Sequence, residues 1–280
     1  MKKHMTTIIL ILVFLLGLSL LLYPTVSDWW NSFHQTRAIN GYNETVEQMS
    51  AEDIAALRSE AVAYNASLVG AADAFASSEE GHSRYEDLLN VSGDGIMGYI
   101  EIPTIDCKLP IYHGVEEGTL AVGVGHIEGS SLPVGGESTH TVLSGHRGLP
   151  SARLFTDLDQ MKEGDTFSLH ILNETLTYQV DQILIVEPED ISALLIQSGR
   201  DLCTLVTCTP YGVNSHRLLV RGTRIANPDE GALAVAADAE LYDPLTIAPL
   251  AAIPLLLLLF ILLLTKRPGR KRKKEKEAKQ

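Results

Sequence analysis

The hydrophobic pattern divides the chain into two long apolar segments and a central region of shorter patterned segments. Residues 6–23 form 18 positions without a charge, and residues 245–265 form 21. Each is long enough to cross a bilayer as a helix. No small-x-small cleavage site follows the first segment. We therefore predict an uncleaved N-terminal anchor (residues 1–24), with a cleaved signal peptide as the alternative, and a C-terminal transmembrane helix.

A helical region with a long loop is predicted between the first span and the central region, over residues 25–95. Ser50 and Asp53 form a start signal for a helix over Met49–Leu68. Apolar residues recur at helical spacing along it and predict one buried face: Ile54, Leu57, Ala61, Tyr64 and Leu68. The Gly-, Ala- and Ser-rich sequence at about 69–84 predicts a loop.

From residue 96 to residue 226 the pattern changes to short β-branched and alternating segments separated by Gly, Pro and Asn turns. Seven segments have this character: Met97–Ile102, Ile105–Leu109, His140–Ser144, Thr166–Leu172, Thr175–Val186, Cys203–Cys208 and Arg217–Arg224. Short helical turns are expected at Thr119–Val124 and Ser151–Met161. Strands of this number and spacing predict a mainly β fold, a closed or partly closed barrel. A polar, Ala-rich linker over residues 227–244 follows.

The last two predicted strands carry candidate chemistry. Cys208 ends an apolar run before the turn signal Thr209-Pro-Tyr-Gly212, and Arg217 begins the next strand. A fixed positive charge near a thiol favours the reactive thiolate. His146, at the end of another short apolar strand, is a candidate general acid or base. We expect these three side chains to meet.

These residues carry a family resemblance. The run Thr204-Leu-Val-Thr-Cys208 followed by Arg217-Leu-Leu-Val-Arg-Gly222 resembles the sortase signature TLxTC and RLxVxG, and His146 stands where that family places its histidine. The likeness covers roughly residues 95 to 225 and is greatest to the class C, pilus-assembling sortases. It implies a closed eight-stranded barrel, with the long Thr175–Val186 run supplying two strands.

The resemblance also implies an activity. A class C sortase is a cysteine transpeptidase that cleaves LPxTG-like sorting signals of pilin or surface-protein substrates. It then joins the acyl group to a lysine amine of the next subunit. Cys208 would be the nucleophile, His146 the acid and base, and Arg217 the oxyanion or peptide ligand. No cofactor is implied.

Class C sortases have a lid loop with an Asp-Pro-aromatic motif, and Asp73-Ala74-Phe75 resembles it. The resemblance implies that Asp73 pairs with Arg217 and that Phe75 covers Cys208. Ala74 replaces the proline of the family pattern. Since proline restricts the free loop, its absence leaves the closed lid less favoured by about 0.4–1 kcal/mol.

Charge sets the orientation and the partners. Nine Lys and Arg follow the second span in the tail 266–280, and Lys2 and Lys3 precede the first, so both termini are predicted to be cytoplasmic and the catalytic domain extracellular. The segment between the spans has 11 Lys and Arg against 33 Asp and Glu, a net charge near −22. This acidity excludes nucleic acid as a natural partner.

The remaining cysteines and histidines point to structural roles. Cys203 and Cys208 are five positions apart on one strand and face opposite sides, so they are too far apart for a disulfide. Cys107 and Cys203 are interpreted as core residues, with a disulfide between these two as the alternative. His113, His126 and His140 lack metal-ligand spacing, so no metal site is expected.

Three other functions remain open at this stage. A plain cysteine peptidase would use the same thiol, although His146 precedes Cys208, the reverse of the papain order. A sortase that anchors surface proteins to the cell wall is the alternative within the family, and such relatives generally have one N-terminal anchor. A non-catalytic, membrane-anchored scaffold is the alternative outside enzymes, and it predicts that Cys208 is dispensable.

Overall fold

A computed structural model describes residues 2–71, 75 and 79–227 of the chain. Three helices come first, and eight strands follow with a short helix, α4, between the second and the third. The helices are α1 Lys2–Gln48, α2 Ala51–Leu68, α3 Glu79–Asp87 and α4 Glu117–Leu120. The strands are β1 Ile96–Ile102, β2 Cys107–His113, β3 Val124–His126, β4 Thr139–Ser144, β5 Thr166–Ile171, β6 Glu174–Val186, β7 Asp201–Thr209 and β8 His216–Arg224.

The eight strands form a closed barrel in the order β1-β2-β3-β4-β7-β8-β6-β5. The pairs β2–β3 and β4–β7 are parallel, and the other pairs are antiparallel. Alternate side chains fill the interior, where Ile100, Phe167, Leu205 and Val220 are completely buried. The predicted closed eight-stranded barrel is confirmed.

The eighth strand is not where the sequence placed it. Residues 174–186 form one continuous strand, β6, with a bulge between Val180 and Gln182. The additional strand is β3, Val124–His126, which is only three residues long. A segment this short shows no usable alternation of polar and apolar positions. The helical turns near residues 119 and 158 are present as α4 and a 3-10 turn at Leu158–Gln160.

Helix α1 runs without a break from the apolar N-terminal segment to the barrel surface. Among the described residues, this is the one helix that is long and apolar enough to cross a membrane. Its last turns pack on the barrel, where the buried Tyr42 hydroxyl donates to Met97 O at 2.9 Å and accepts from Leu172 N at 2.7 Å. The predicted second span and the basic tail lie outside the described residues.

Helix α2 lies within two residues of the predicted bounds, but of its predicted buried face only Ala61 is buried, and the other four residues are half-buried. The Ser50 hydroxyl accepts a hydrogen bond from Asp53 N and caps its first turn. Asn65, which the apolar pattern did not reveal, is also buried and bonds twice to the backbone of Leu132. Helix α3 is fixed by Tyr85, whose hydroxyl lies 2.9 Å from His126 Nδ1 and accepts from Gly114 N at 3.1 Å.

Candidate active site

Cys208 and Arg217 are cross-strand neighbours at one end of the barrel. In the antiparallel ladder of β7 and β8, Cys208 pairs directly with Arg217, and Thr209 pairs with His216. Directly opposed residues have Cβ atoms about 4.5–5.5 Å apart and lie on the same face. The strands extend one residue farther than the sequence indicated, so the connecting loop comprises the six residues 210–215.

Alternation along the strands shows which face these two residues share. Cys203 and Leu205 on β7 belong to the barrel core, whereas Val206 belongs to a separate apolar cluster outside it. Leu218 and Val220 on β8 are likewise internal, and Leu219 is external. Cys208 and Arg217 therefore lie on the outer face, each partly exposed.

The parallel register of β4 and β7 indicates where His146 lies relative to Cys208. In the parallel ladder of β4 and β7, every partner pair from Thr139 with Asp201 to Ser144 with Val206 is separated by 62 residues. His146 and Cys208 are separated by the same number. Gly145 N continues the ladder by donating to Val206 O at 3.0 Å. His146 follows the end of β4 by two residues, so it lies at the same end of the barrel as Cys208 and Arg217.

The backbone before His146 is tightly fixed. The Thr207 hydroxyl donates to Gly145 O at 2.7 Å, and Phe155 N donates to His146 O at 3.1 Å. A Cβ on Gly145 would lie 2.6 Å from the ring of Phe155, which explains why glycine stands there. This close packing fixes the backbone from which the partly exposed His146 side chain projects.

Arg217 is oriented by the loop between β7 and β8. Its Nη1 donates to the carbonyl oxygens of Asn214 at 3.3 Å and His216 at 3.1 Å. His216 in turn lies 3.3 Å from Glu187, the first residue after β6. These contacts hold the guanidinium at the edge of the outer face.

The outer face also has an apolar surface, which we call the outer cluster. Its members are Val142, Leu194, Val206 and Leu219, with Phe75, Ile127, Leu184, Val186 and Ala193 packed against them. Phe75 is thus on the same face as Cys208 and borders a cleft of about 220 Å³ together with His140 and Leu194. The predicted lid residue Asp73 lies outside the described residues.

The other histidines named in the sequence analysis are bonded inside the protein. Burial lowers the pKa of both His126 and His140 to about 4, so each is neutral at pH 7. His140 Nε2 lies 2.7 Å from Thr204 Oγ1, and His113 contacts the carbonyl oxygens of Gly95 and Leu88. In the part of the chain that the structure describes, no cluster of three His, Cys, Asp or Glu suits a metal.

The three cysteines are free and differ in environment. Cys203 is completely buried, and this burial raises its pKa well above the usual value. Burial raises the pKa of Cys107 to about 12. Neither thiol forms thiolate readily, whereas Cys208 is partly exposed beside Arg217.

Arg147 is a residue of the site that the sequence analysis did not single out. Its side chain is only 9% exposed, forms an ion pair with Asp159 and donates to Thr209 Oγ1 at 3.2 Å. The bond to Thr209 links the residue after His146 to the residue after Cys208. The one sequence feature that could have pointed to Arg147 was its position next to His146.

Comparisons with known proteins identify a family. The family model described as Sortase domain matches residues 100–225. Sortase D of Bacillus subtilis is 32% identical over 131 residues, which cover 46% of this chain and 63% of that protein. The match therefore spans slightly less than two thirds of that relative.

Solved structures match over a larger share of the chain. The crystal structure of sortase C1 from Streptococcus agalactiae is 51% identical with a TM-score of 0.67, covering 69% of this chain and 100% of that one. Clostridium perfringens sortase C, solved with the C-terminal cell wall sorting motif, is 43% identical with a TM-score of 0.59, covering 69% and 100%. The chain belongs to the sortase family, and these structural neighbours are class C sortases.

Proposed function

We propose that this protein is a membrane-anchored cysteine transpeptidase in which Cys208 is the nucleophile. The pairing of Cys208 with Arg217, with His146 two residues beyond the end of the neighbouring strand β4, is the observation that supports the proposal. A thiol flanked by an imidazole and a guanidinium meets the requirements of acyl transfer, which needs a nucleophile, a proton carrier and an oxyanion ligand.

In the first half-reaction, the Cys208 thiolate attacks the carbonyl carbon of the scissile peptide bond. The S–C bond forms, and Arg217 donates hydrogen bonds to the oxygen as negative charge develops on it. When the tetrahedral intermediate collapses, the C–N bond breaks and protonated His146 gives its proton to the leaving amine. The acyl group remains on Cys208 as a thioester.

In the second half-reaction, an incoming amine attacks the thioester carbon. His146, now neutral, takes a proton from the attacking nitrogen. The new C–N bond forms, the C–S bond breaks, and the Cys208 thiolate is regenerated. His146 thus acts first as acid and then as base in one cycle.

The proposed substrate is a sorting signal of the LPxTG type on a pilin or surface protein. The outer cluster and the adjoining cleft beside His140 and Leu194 support this, because they offer apolar surface for leucine and proline side chains. The likeness to a sortase C solved with its sorting motif supports it further. By the same likeness, the proposed acceptor is a lysine amine of the next pilin subunit.

We propose that the segment between α2 and α3, which carries Asp73 and Phe75, is a lid over the outer face. The loop predicted at about residues 69–84 is shorter than expected, because residues 79–84 belong to α3. Phe75 packs against the outer cluster, where it occupies apolar surface that the sorting signal would use. Closure by Asp73 onto Arg217 is part of the same proposal. Opening would free the guanidinium and the cleft together, so the lid would limit access to Cys208.

The proposed topology uses two spans. Residues 1–24 anchor the N-terminus and residues 245–265 the C-terminus, with both termini in the cytoplasm. Residues 25–95 form the helical region, 96–226 the catalytic barrel, 227–244 the linker and 266–280 the basic tail. Trp29 and Trp30, both more than half exposed on α1, suit the interface just outside the first span.

The deciding experiment compares two cysteines of one strand. Cys208→Ala should abolish cleavage of a peptide with an LPxTG-like signal and polymerisation of pilin subunits. Cys203→Ala, which changes an inward-facing thiol of the same strand, should retain both activities in the fraction of protein that folds. Retained cleavage in folded Cys208→Ala would overturn the proposal.

A further inference from the structure

A second cleft lies on the other side of the catalytic strand ends. It has a volume of about 580 Å³, within the range of ligand sites. Residues that line it include Arg147, Thr209 and Leu218. These are the sequence neighbours of His146, Cys208 and Arg217, so the cleft reaches the same strand ends from the opposite face.

The walls of this cleft are mainly apolar. They comprise Leu158, Met161, Ile183, Ile185 and Leu218, with Leu184 of the outer cluster at the border between the two faces. Ile185 is 64% exposed although it stands on a barrel strand, where its cross-strand partner is Leu218. Tyr211, whose ring lies over the Arg147 guanidinium, is 61% exposed. Exposed apolar side chains that lie next to one another are typical of a binding surface.

The cleft contains one ion pair, between Arg147 and Asp159, and only its acidic member is exposed. Arg147 is almost fully buried, and its guanidinium is engaged by Asp159, by Thr209 and by the ring of Tyr211. Asp159, its partner, is 46% exposed. The group that faces solvent is therefore a carboxylate at the edge of an apolar cleft.

We propose that this cleft binds the acceptor, a lysine-bearing segment of the next protein subunit. A lysine side chain has an apolar stem and a cationic head, which match the apolar walls and Asp159. Electrostatic complementarity of this kind speeds and orients the encounter. This inference rests on the proposed transpeptidase function and adds a separate site for its second substrate.

In this proposal the two substrates bind on two different faces of the barrel wall. The sorting signal occupies the outer face and leaves its acyl group on Cys208 at the edge of β7. The acceptor lysine approaches past Asp159 and Thr209 to that edge. There its neutral amine attacks the thioester carbon, a proton passes from nitrogen to His146, the C–N bond forms and the C–S bond breaks.

The test measures how the acyl-enzyme partitions between two nucleophiles. Purified enzyme is given a sorting-signal peptide with either a lysine-containing pilin peptide or hydroxylamine, which is too small to need a cleft. Ile185→Trp fills the cleft and Asp159→Asn removes its charge while keeping its shape. In each variant the ratio of lysine transfer to hydroxylamine release should fall at least about tenfold, equivalent to 1.4 kcal/mol.

A matched control introduces the same Trp side chain at a position outside both clefts. Val62, which is 47% exposed on α2 and does not line either cleft, is changed to Trp and should keep the wild-type ratio. If the ratio is unchanged in both cleft variants, or falls equally in Val62→Trp, the acceptor site is overturned. The proposed transpeptidase function would still stand in that case, provided that the enzyme cleaves the sorting-signal peptide. Absence of any acyl-enzyme in the wild type would overturn the function itself.

Discussion

Replacing Asn65 with alanine should destabilise the protein because this side chain joins α2 to the barrel. Asn65 is 3% exposed, its Nδ2 donates to Leu132 O at 3.0 Å, and its Oδ1 accepts from Leu132 N at 2.7 Å. Leu132 lies in the loop between β3 and β4 and is completely buried. Alanine leaves Leu132 N without this partner, whereas Leu132 O keeps the bond from Val134 N.

The expected loss of stability follows from the two hydrogen bonds between Asn65 and Leu132 that alanine removes. A buried donor left without a partner costs about 1–3 kcal/mol, and the second hydrogen bond contributes about 0.5–1.5 kcal/mol. We expect Asn65→Ala to lower the free energy of unfolding by about 2–4 kcal/mol. Since the urea dependence of a domain of this size is near the upper end of about 1–3 kcal/mol per molar, the unfolding midpoint should fall by about 1 M.

The assay is urea unfolding of a soluble form, residues 25–227, followed by circular dichroism. Asn65→Asp should also destabilise, because its second carboxylate oxygen would face Leu132 O. Asn40→Ala changes an exposed asparagine on α1 and should be neutral or slightly stabilising, since alanine favours helix. A loss below about 0.5 kcal/mol for Asn65→Ala would refute the assigned role of these hydrogen bonds.

Three further predictions concern pH, catalysis and the lid. Partial burial opposes ionisation of Asp181, but hydrogen bonds from Arg221, Thr223 and Arg200 lower its pKa from 3.8 to about 2. Its stabilisation is therefore present above pH 3.8 and lost as pH falls through about 2, so thermal unfolding of Asp181→Asn and wild type should differ at pH 7 and converge towards pH 2. His146→Ala and Arg217→Ala should each slow peptide cleavage by about 10²–10⁴-fold in steady-state assays, and a change below tenfold would contradict their roles. Phe75→Ala should speed alkylation of Cys208, by about tenfold for each 1.4 kcal/mol of lid closure lost, while an unchanged rate would argue against a lid.

The barrel could be predicted from sequence because most of its strands are long enough to show their pattern. The segments that became β1, β5 and β7 alternate or remain apolar over six or more residues. Strand β3 was missed because its three residues, Val124 to His126, carry no periodic signal. Strand β6 stays continuous through its bulge because β8 pairs with it on both sides, and this pairing is a tertiary effect.

The candidate site was predictable in its residues but not in its arrangement. The motif around Cys208 and Arg217 is local in sequence, so both residues were identified from it. The alignment of His146 with Cys208 depends on the parallel register of β4 and β7, which are more than fifty residues apart. The position of Arg147 and the second cleft follow from tertiary contacts between loops and strand ends. Sequence periodicity does not predict such contacts.

The most direct test of the central claim is the intact mass of the enzyme after brief incubation with an LPxTG-like peptide without an acceptor. We expect a mass increase equal to the acyl fragment of the peptide, mapped by proteolysis to Cys208 and removed by hydroxylamine. Cys208→Ala should show no such adduct. An adduct on Cys107 or Cys203, or cleavage by folded Cys208→Ala, would contradict a mechanism in which Cys208 is the nucleophile.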